Sequence, residues 1–204
     1  MGFFSASCSL YRFQLAEKLP TQVWSNLLEL LRQNRFREIE DSSQERGYGW
    51  VNIEDMLDTQ WESSSPFKGS YAAFALRLDT RRISAAVYKK HYRIALNQLQ
   101  EKVEQNGGKF VSREQKNELR ERVRLELLSR TLPVPAIFDV VWDARSDIVY
   151  LVAGQAKIKA LFLELFYQSF GIGLEPLTPY RMARNQFQGQ DLQELYSYEP
   201  AVFV

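Results

Sequence analysis

Between residues 86 and 130 the apolar residues recur every three to four positions, whereas stretches before it alternate and those after it begin with short apolar runs. A period near 3.6 marks amphipathic helix and a period of two marks half-buried strand. One chain carrying strand, then helix, then strand again must place a helical element inside the sequence of a sheet-bearing body.

In the first half of the helical stretch Tyr88, Tyr92, Ala95, Leu99 and Val103 form a narrow stripe. Asn106-Gly107-Gly108 stops it, because glycine tolerates the left-handed conformation that a C-terminal cap needs. Ser112-Arg113-Glu114-Gln115 then has capping-box spacing, and Leu119, Val123 and Leu127 carry a second stripe. Two such helices joined by a Gly-Gly turn predict an antiparallel hairpin, each arm about 25–28 Å long.

The flanks read differently. Phe3 to Phe13 alternates, with Phe4, Ala6, Cys8 and Leu10 on one face, which predicts a strand with Cys8 as a small core residue. Pro20 suits a first helical turn ahead of Val23, Leu27 and Leu31. Glu38 to Arg46 reads as a solvated connection, Gly47–Val51 as a short strand, and 54–69 as a surface loop. Tyr71 to Leu78 alternates again, and Asp79-Thr80 predicts a turn into a second strand at Arg82–Ala85. Beyond Pro133, the apolar runs Ile137–Trp142 and Ile148–Val152 predict another β-hairpin. A helix carrying Ile158, Leu161, Phe162 and Leu165 follows, stopped by Gly171-Ile172-Gly173, with Leu174–Leu177 returning as a strand. The fold class is therefore α+β: antiparallel strands with covering helices and an inserted basic two-helix hairpin. The expected parts are 1–80 and 131–184 for the body, 81–130 for the hairpin, and 185–204 for a linker and tail, the last from Asp191 having no assigned structure.

Charge follows the same boundaries. The whole chain has a formal net charge of only +1. Residues 1–80 sum to −3 and residues 131–204 to −3, whereas residues 81–130 hold 13 Lys/Arg against 6 Asp/Glu, or +7. Such asymmetry points to a polyanionic partner. Arg113, Lys116, Arg120 and Arg124 repeat 3, 4 and 4 residues apart and form one stripe, which Glu118, placed to pair with Arg122, leaves poorly neutralised. Lys89, Lys90 and Arg93 gather on the first helix, with Arg81 and Arg82 in the turn before it. A line of cations along a rod meets several phosphates of a duplex at once, since these occur every ~1.7 Å along the axis.

Other chemistries find less support. Asp139, Asp143 and Asp147 recur every four residues, as a metal-dependent nuclease would need, but turn aspartates have ordinary backbone uses. His91 lies within the cationic cluster without a nucleophile or carboxylate at a suggestive spacing, and Gly107-Gly108 lacks the Lys-Ser/Thr of a phosphate loop. One cysteine and one histidine exclude an intramolecular disulfide and leave little for zinc. No cofactor or metal is implied. Trp24, Phe74, Trp142 and Phe162 fall on apolar stripes as core, while Phe67, Phe110 and Tyr196 fall in loops where a base could stack. Apolar runs fall far short of the roughly 20 residues of a membrane span, and Met1-Gly2-Phe3-Phe4-Ser5 has no basic region typical of a leader, so a cytoplasmic protein is expected.

The order of these parts resembles the RdgC family of bacterial recombination-associated DNA-binding proteins. The resemblance runs through Leu10-Tyr11-Arg12-Phe13, Gly49-Trp50-Val51, Val87-Tyr88-Lys89-Lys90, the charged helix Arg113–Leu128, Val141-Trp142-Asp143, Val152-Ala153-Gly154-Gln155-Ala156 and Leu174-Glu175-Pro176-Leu177. It implies a non-catalytic, largely sequence-independent binder of duplex DNA, with single strands left open. It further implies a nucleoid-associated homodimer that closes around duplex DNA and limits recombinase access. Family members continue beyond position 204, so the chain reads as a short form, and Leu128-Ser129-Arg130-Thr131-Leu132-Pro133 departs from the family's leucine-proline step. Two competing readings are a protein-interaction module whose hairpin grips an acidic partner or a second copy of itself, and the metal-dependent nuclease.

Overall fold

The computed structural model describes residues 2–186 other than 4 and 43. Its elements, in order, are β1 (Leu10–Leu15), α1 (Thr21–Ser25), α2 (Leu27–Gln33), β2 (Arg46–Val51), β3 (Phe67–Lys68), β4 (Tyr71–Thr80), α3 (Ala85–Gln105), α4 (Arg113–Ser129), β5 (Val134–Asp143), β6 (Ile148–Val152), α5 (Ala156–Phe170), β7 (Leu174–Pro176) and α6 (Pro179–Gln186). The strands form an α+β sheet in the order β2-β4-β5-β6-β1-β7, with β3 on β4, and every pairing whose register is resolved is antiparallel. Among the described residues no helix is long and apolar enough to cross a membrane.

The chain forms two compact units, the first comprising the residues through Gln33, Ser65–Phe74 and those from Phe138 on. Its core is aromatic. Phe13 of β1 lies 5.6 Å from Phe162 of α5, and Trp142 of β5 lies 5.2 Å from Phe166 and 5.3 Å from Phe170 of the same helix. Trp24 of α1 closes edge-on over Trp142 at 5.8 Å. Residues repeating at 158, 162, 165, 166, 169 and 170 make one buried face of α5, which is why the sheet keeps large apolar side chains at 13, 142, 149 and 151 on that side.

The second unit comprises Asn34–Ser64 and Ala75–Ile137. Here β2 pairs along β4, from Arg46 opposite Thr80 to Val51 opposite Ala75. A parallel bridge joins Arg35 to Trp50, with the Phe36 N–H donating to the Trp50 carbonyl at 2.9 Å. Gly49 permits that approach, because a Cβ there would stand 2.4 Å from the Phe36 nitrogen. This unit also holds α3 and α4, in the place and pairing that the change of period predicts. With 21 and 17 residues the helices run about 31 and 26 Å, so the first is longer than expected.

Three expectations are corrected. The first strand begins at Leu10, not Phe3, and its buried residues are Phe13 and Leu15 while Leu10 is 42% exposed. Residues 5–9 carry no strand, and Cys8 precedes β1 half-buried rather than in the core. Second, Asp79 and Thr80 are not a turn. Asp79 is a strand residue whose carboxylate takes the Arg77 Nε and Nη2 hydrogens at 2.8 Å each, and the chain passes from β4 into α3 without a second strand. Third, residues 38–46 are not wholly solvated, since Ile39 is buried. Expectations for Phe4, for Tyr196 and for the tail from Asp191 to Val204 lie outside the described residues, while residues 185 and 186 belong to α6.

Candidate nucleic-acid interface

The helical hairpin is locally specified. Gly107 adopts φ +81, a conformation L side chains resist, and turns the chain after α3. Ser112 caps α4: its Oγ accepts from the Gln115 N–H at 3.1 Å and the Gln115 Oε1 accepts from the Ser112 N–H at 2.9 Å. Between the helices Leu119, Val123 and Leu127 are buried against Ile83, Tyr88, Tyr92, Ala95, Leu96 and Leu99, all partly exposed. No residue of α3 is itself buried. So narrow a seam leaves most of both helices in solvent.

Tyr92 meets Arg120, and Val103 faces Lys116 across a shallow groove, so the two helices run antiparallel. At about 100° per residue, Lys89 and Arg93 stand to one side of the seam on α3. Arg113, Arg120 and Arg124 stand on the same-handed side of α4. In an antiparallel pair those flanks make one surface. Lys89, Lys90, Arg93, Arg113 and Arg120 are exposed on α3 and α4, as is Arg82 in the turn ahead of α3. Lys116 is half-buried where the groove is also lined by Gln100, Glu104, Lys109, Phe110 and Val111. The Arg120 guanidinium lies 5.7 Å from the Tyr92 ring centre, and its Nη1 donates to Asn117 Oδ1 at 3.0 Å, which holds the side chain along the flank.

Two of the nine expected cations behave otherwise. Arg81 is only 5% exposed. Its guanidinium donates to the carbonyls of Ser42 at 2.7 Å, Ile39 at 2.9 Å and Glu40 at 2.6 Å, so its charge is spent on backbone and it leaves the candidate interface. Arg124 is half-exposed but paired, its Nη2 with the Glu45 carboxylate and its Nη1 with Glu121 at 3.7 Å. The stripe is therefore better neutralised at that end than its spacing implies. Glu45 is the contributor that the sequence reading missed, since it lies 79 positions from its partner and no local pattern joins them.

The carboxylates considered for metal chemistry serve the fold. Asp139 Oδ2 accepts from the Phe3 N–H at 2.9 Å in a buried setting. Asp143 organises the β5–β6 turn, accepting from the Arg145 N–H at 3.0 Å and the Ser146 hydroxyl at 2.8 Å. Burial raises its carboxyl pKa, but those bonds and the nearby Arg145 charge prevail and hold it below the usual range. Asp147 takes φ +56 in that turn. Asp58 likewise knots the loop 52–64. Burial opposes its charge, yet bonds from Ser63, Glu62 and Asn52 hold it well below the ordinary value. Among the described residues no group of three or more His, Cys, Asp or Glu is placed to share a metal ion. His91 is exposed on α3. Of the aromatics expected in loops, Phe67 belongs instead to β3, so 54–69 is not wholly a surface loop, and it packs edge-on against Trp24 at 5.5 Å; Phe110 is 89% exposed beside the turn of the hairpin.

Fold and site together define a class: an α+β protein with an internal helical hairpin that concentrates exposed cations on one flank. A family model described as "Putative exonuclease, RdgC" matches residues 3–187, and the chain belongs to the RdgC family of recombination-associated proteins. Comparison with curated proteins returns no match.

Proposed function

We propose that this chain is a non-catalytic DNA-binding protein that grips the sugar-phosphate backbone with the basic flank of its hairpin. By occupying DNA it limits the access of a recombinase, and it works at the nucleoid. The observation that carries this reading is the flank itself: Lys89, Arg93, Arg113 and Arg120 are exposed along one side of a solvated rod. Cations so arranged meet phosphates and read no base edges, so affinity is largely independent of sequence. The same feature argues against an acidic protein partner, because a rod of spaced charges suits a regularly charged polymer. A homodimer, which the family resemblance implies, would bring two such flanks to one duplex, and light scattering reports it directly.

The test is a duplex-binding titration at several salt concentrations. Log affinity should fall linearly with log salt, by about 0.9 for each phosphate engaged. Reversal of Arg93, Arg113 and Arg120 to Glu should abolish binding to every sequence while the far-ultraviolet spectrum stays unchanged. Undiminished binding by that folded variant removes the flank as the interface. The family description also names an exonuclease. Metal-dependent loss of labelled DNA ends, absent from a preparation lacking the protein, would establish that activity in place of the binding role.

A further inference from the structure

The segment from Glu38 to Glu45 carries four carboxylates, Glu38, Glu40, Asp41 and Glu45, beside the most basic part of the chain. Its described residues are firmly tethered. The buried Arg81 guanidinium binds three of its carbonyls, and the Arg81 N–H donates to the Glu45 carbonyl at 2.9 Å. Glu38 is held by Arg77 at 2.9 Å, and Ile39 anchors the segment in the core. The result is a carboxylate at Glu45 with a fixed main chain, paired to Arg124 although both side chains are nearly half exposed. An exposed ion pair of this kind adds little to stability. Its placement matters more, because Arg124 is the last cation of the flank that carries Arg113 and Arg120.

We infer that Glu45 is a built-in surrogate for a DNA phosphate, which occupies Arg124 and must be displaced before that arginine can engage DNA. Carboxylate and phosphate make the same charge-assisted bonds to guanidinium, so binding at Arg124 is an exchange of one anion for another. The chain thereby keeps the flank short and its grip on DNA weaker than its charge allows. This inference rests on the reading of the hairpin as a phosphate-binding surface.

The experiment is a double-substitution cycle on the full chain with a short fluorescent duplex as probe: Glu45→Gln, Arg124→Gln and the two together, each titrated over a range of salt. Glu45→Gln should tighten binding by about two- to fivefold, the usual strength of an exposed pair, and steepen the log–log salt slope by about 0.9. Arg124→Gln alone should leave the slope nearly unchanged, and Glu45→Gln should gain nothing further in the Arg124→Gln background. Equal thermal unfolding midpoints show that all variants keep the fold. If Glu45→Gln strengthens binding equally with and without Arg124, its effect is general charge removal and the surrogate role is overturned. If the duplex binds, is lost on reversal of Arg113 and Arg120, and is insensitive to Glu45, the inference falls and the hairpin reading stands. Absence of binding by every variant overturns both.

Discussion

Trp142 and Leu119 each sit at the centre of an amphipathic packing, yet their surroundings differ. Trp142 meets rings from Trp24, Phe166 and Phe170 and has no exposed surface. Leu119 is buried by one facing helix whose own residues are all partly exposed. The first arrangement secures a sheet by depth of core. The second secures a rod by a thin seam, a capping box and a glycine turn, and in exchange frees most of its surface for charge. Local devices stand in for a core where the surface has other work.

Three substitutions test that contrast. Trp142→Ala should remove about 3–5 kcal/mol of stability, as expected for emptying a well-packed aromatic site. Urea unfolding of the full chain measures it, and a loss below about 1 kcal/mol would contradict the deep core. Leu119→Ala should cost about 2–3 kcal/mol, the low end for leucine truncation, because partly exposed neighbours can close over the gap. Hydrogen exchange should show the loss in α3 and α4 while the amides of β1 and β6 keep their protection. Equal loss in the sheet would mean that rod and sheet unfold as one. Ser112→Ala is the mildest, about 1 kcal/mol, since it deletes one cap. Its signature is faster exchange in the first turn of α4, and no change there would show that the cap is redundant with the seam.

What could be read from the sequence divides along the same line. The hairpin was legible because its determinants are local: the stripes, Asn106-Gly107-Gly108 and Ser112 to Gln115 all act within a few residues. The sheet was legible as strands, with Phe74 and Trp142 facing the core as expected, but the inward face of β1 was not. Phe13 and Leu15 turn inward because β1 is held between β6 and β7, residues far along the chain, and among the described residues the tempting alternation before Leu10 has no such partners. Asp79 looks like a turn residue until Arg77, two positions earlier on the same strand face, is seen to bind it. Arg81 looks like a free cation because the carbonyls that consume it lie 39 to 42 positions away. Seven of the nine expected cations remain exposed or half-buried, with no ion pair among the described residues. Which of them share a flank depends on how the helices face each other.

The position of β1 has a consequence for synthesis. Leu10 pairs with Val152 and Leu15 with Leu174, so both neighbours of β1 come far later in the chain. On the ribosome α3 and α4, which pack on each other along the seam, can associate as soon as Ser129 has emerged. β1 must wait, unpaired, until Val152 has emerged, and for its second neighbour until the chain has grown past Pro176. Long loop closure of this sort is slow, and during the wait the apolar side chains of Phe13 and Leu15 are open to wrong partners. Among the described strands β1 is made before the others and is among the last to be placed.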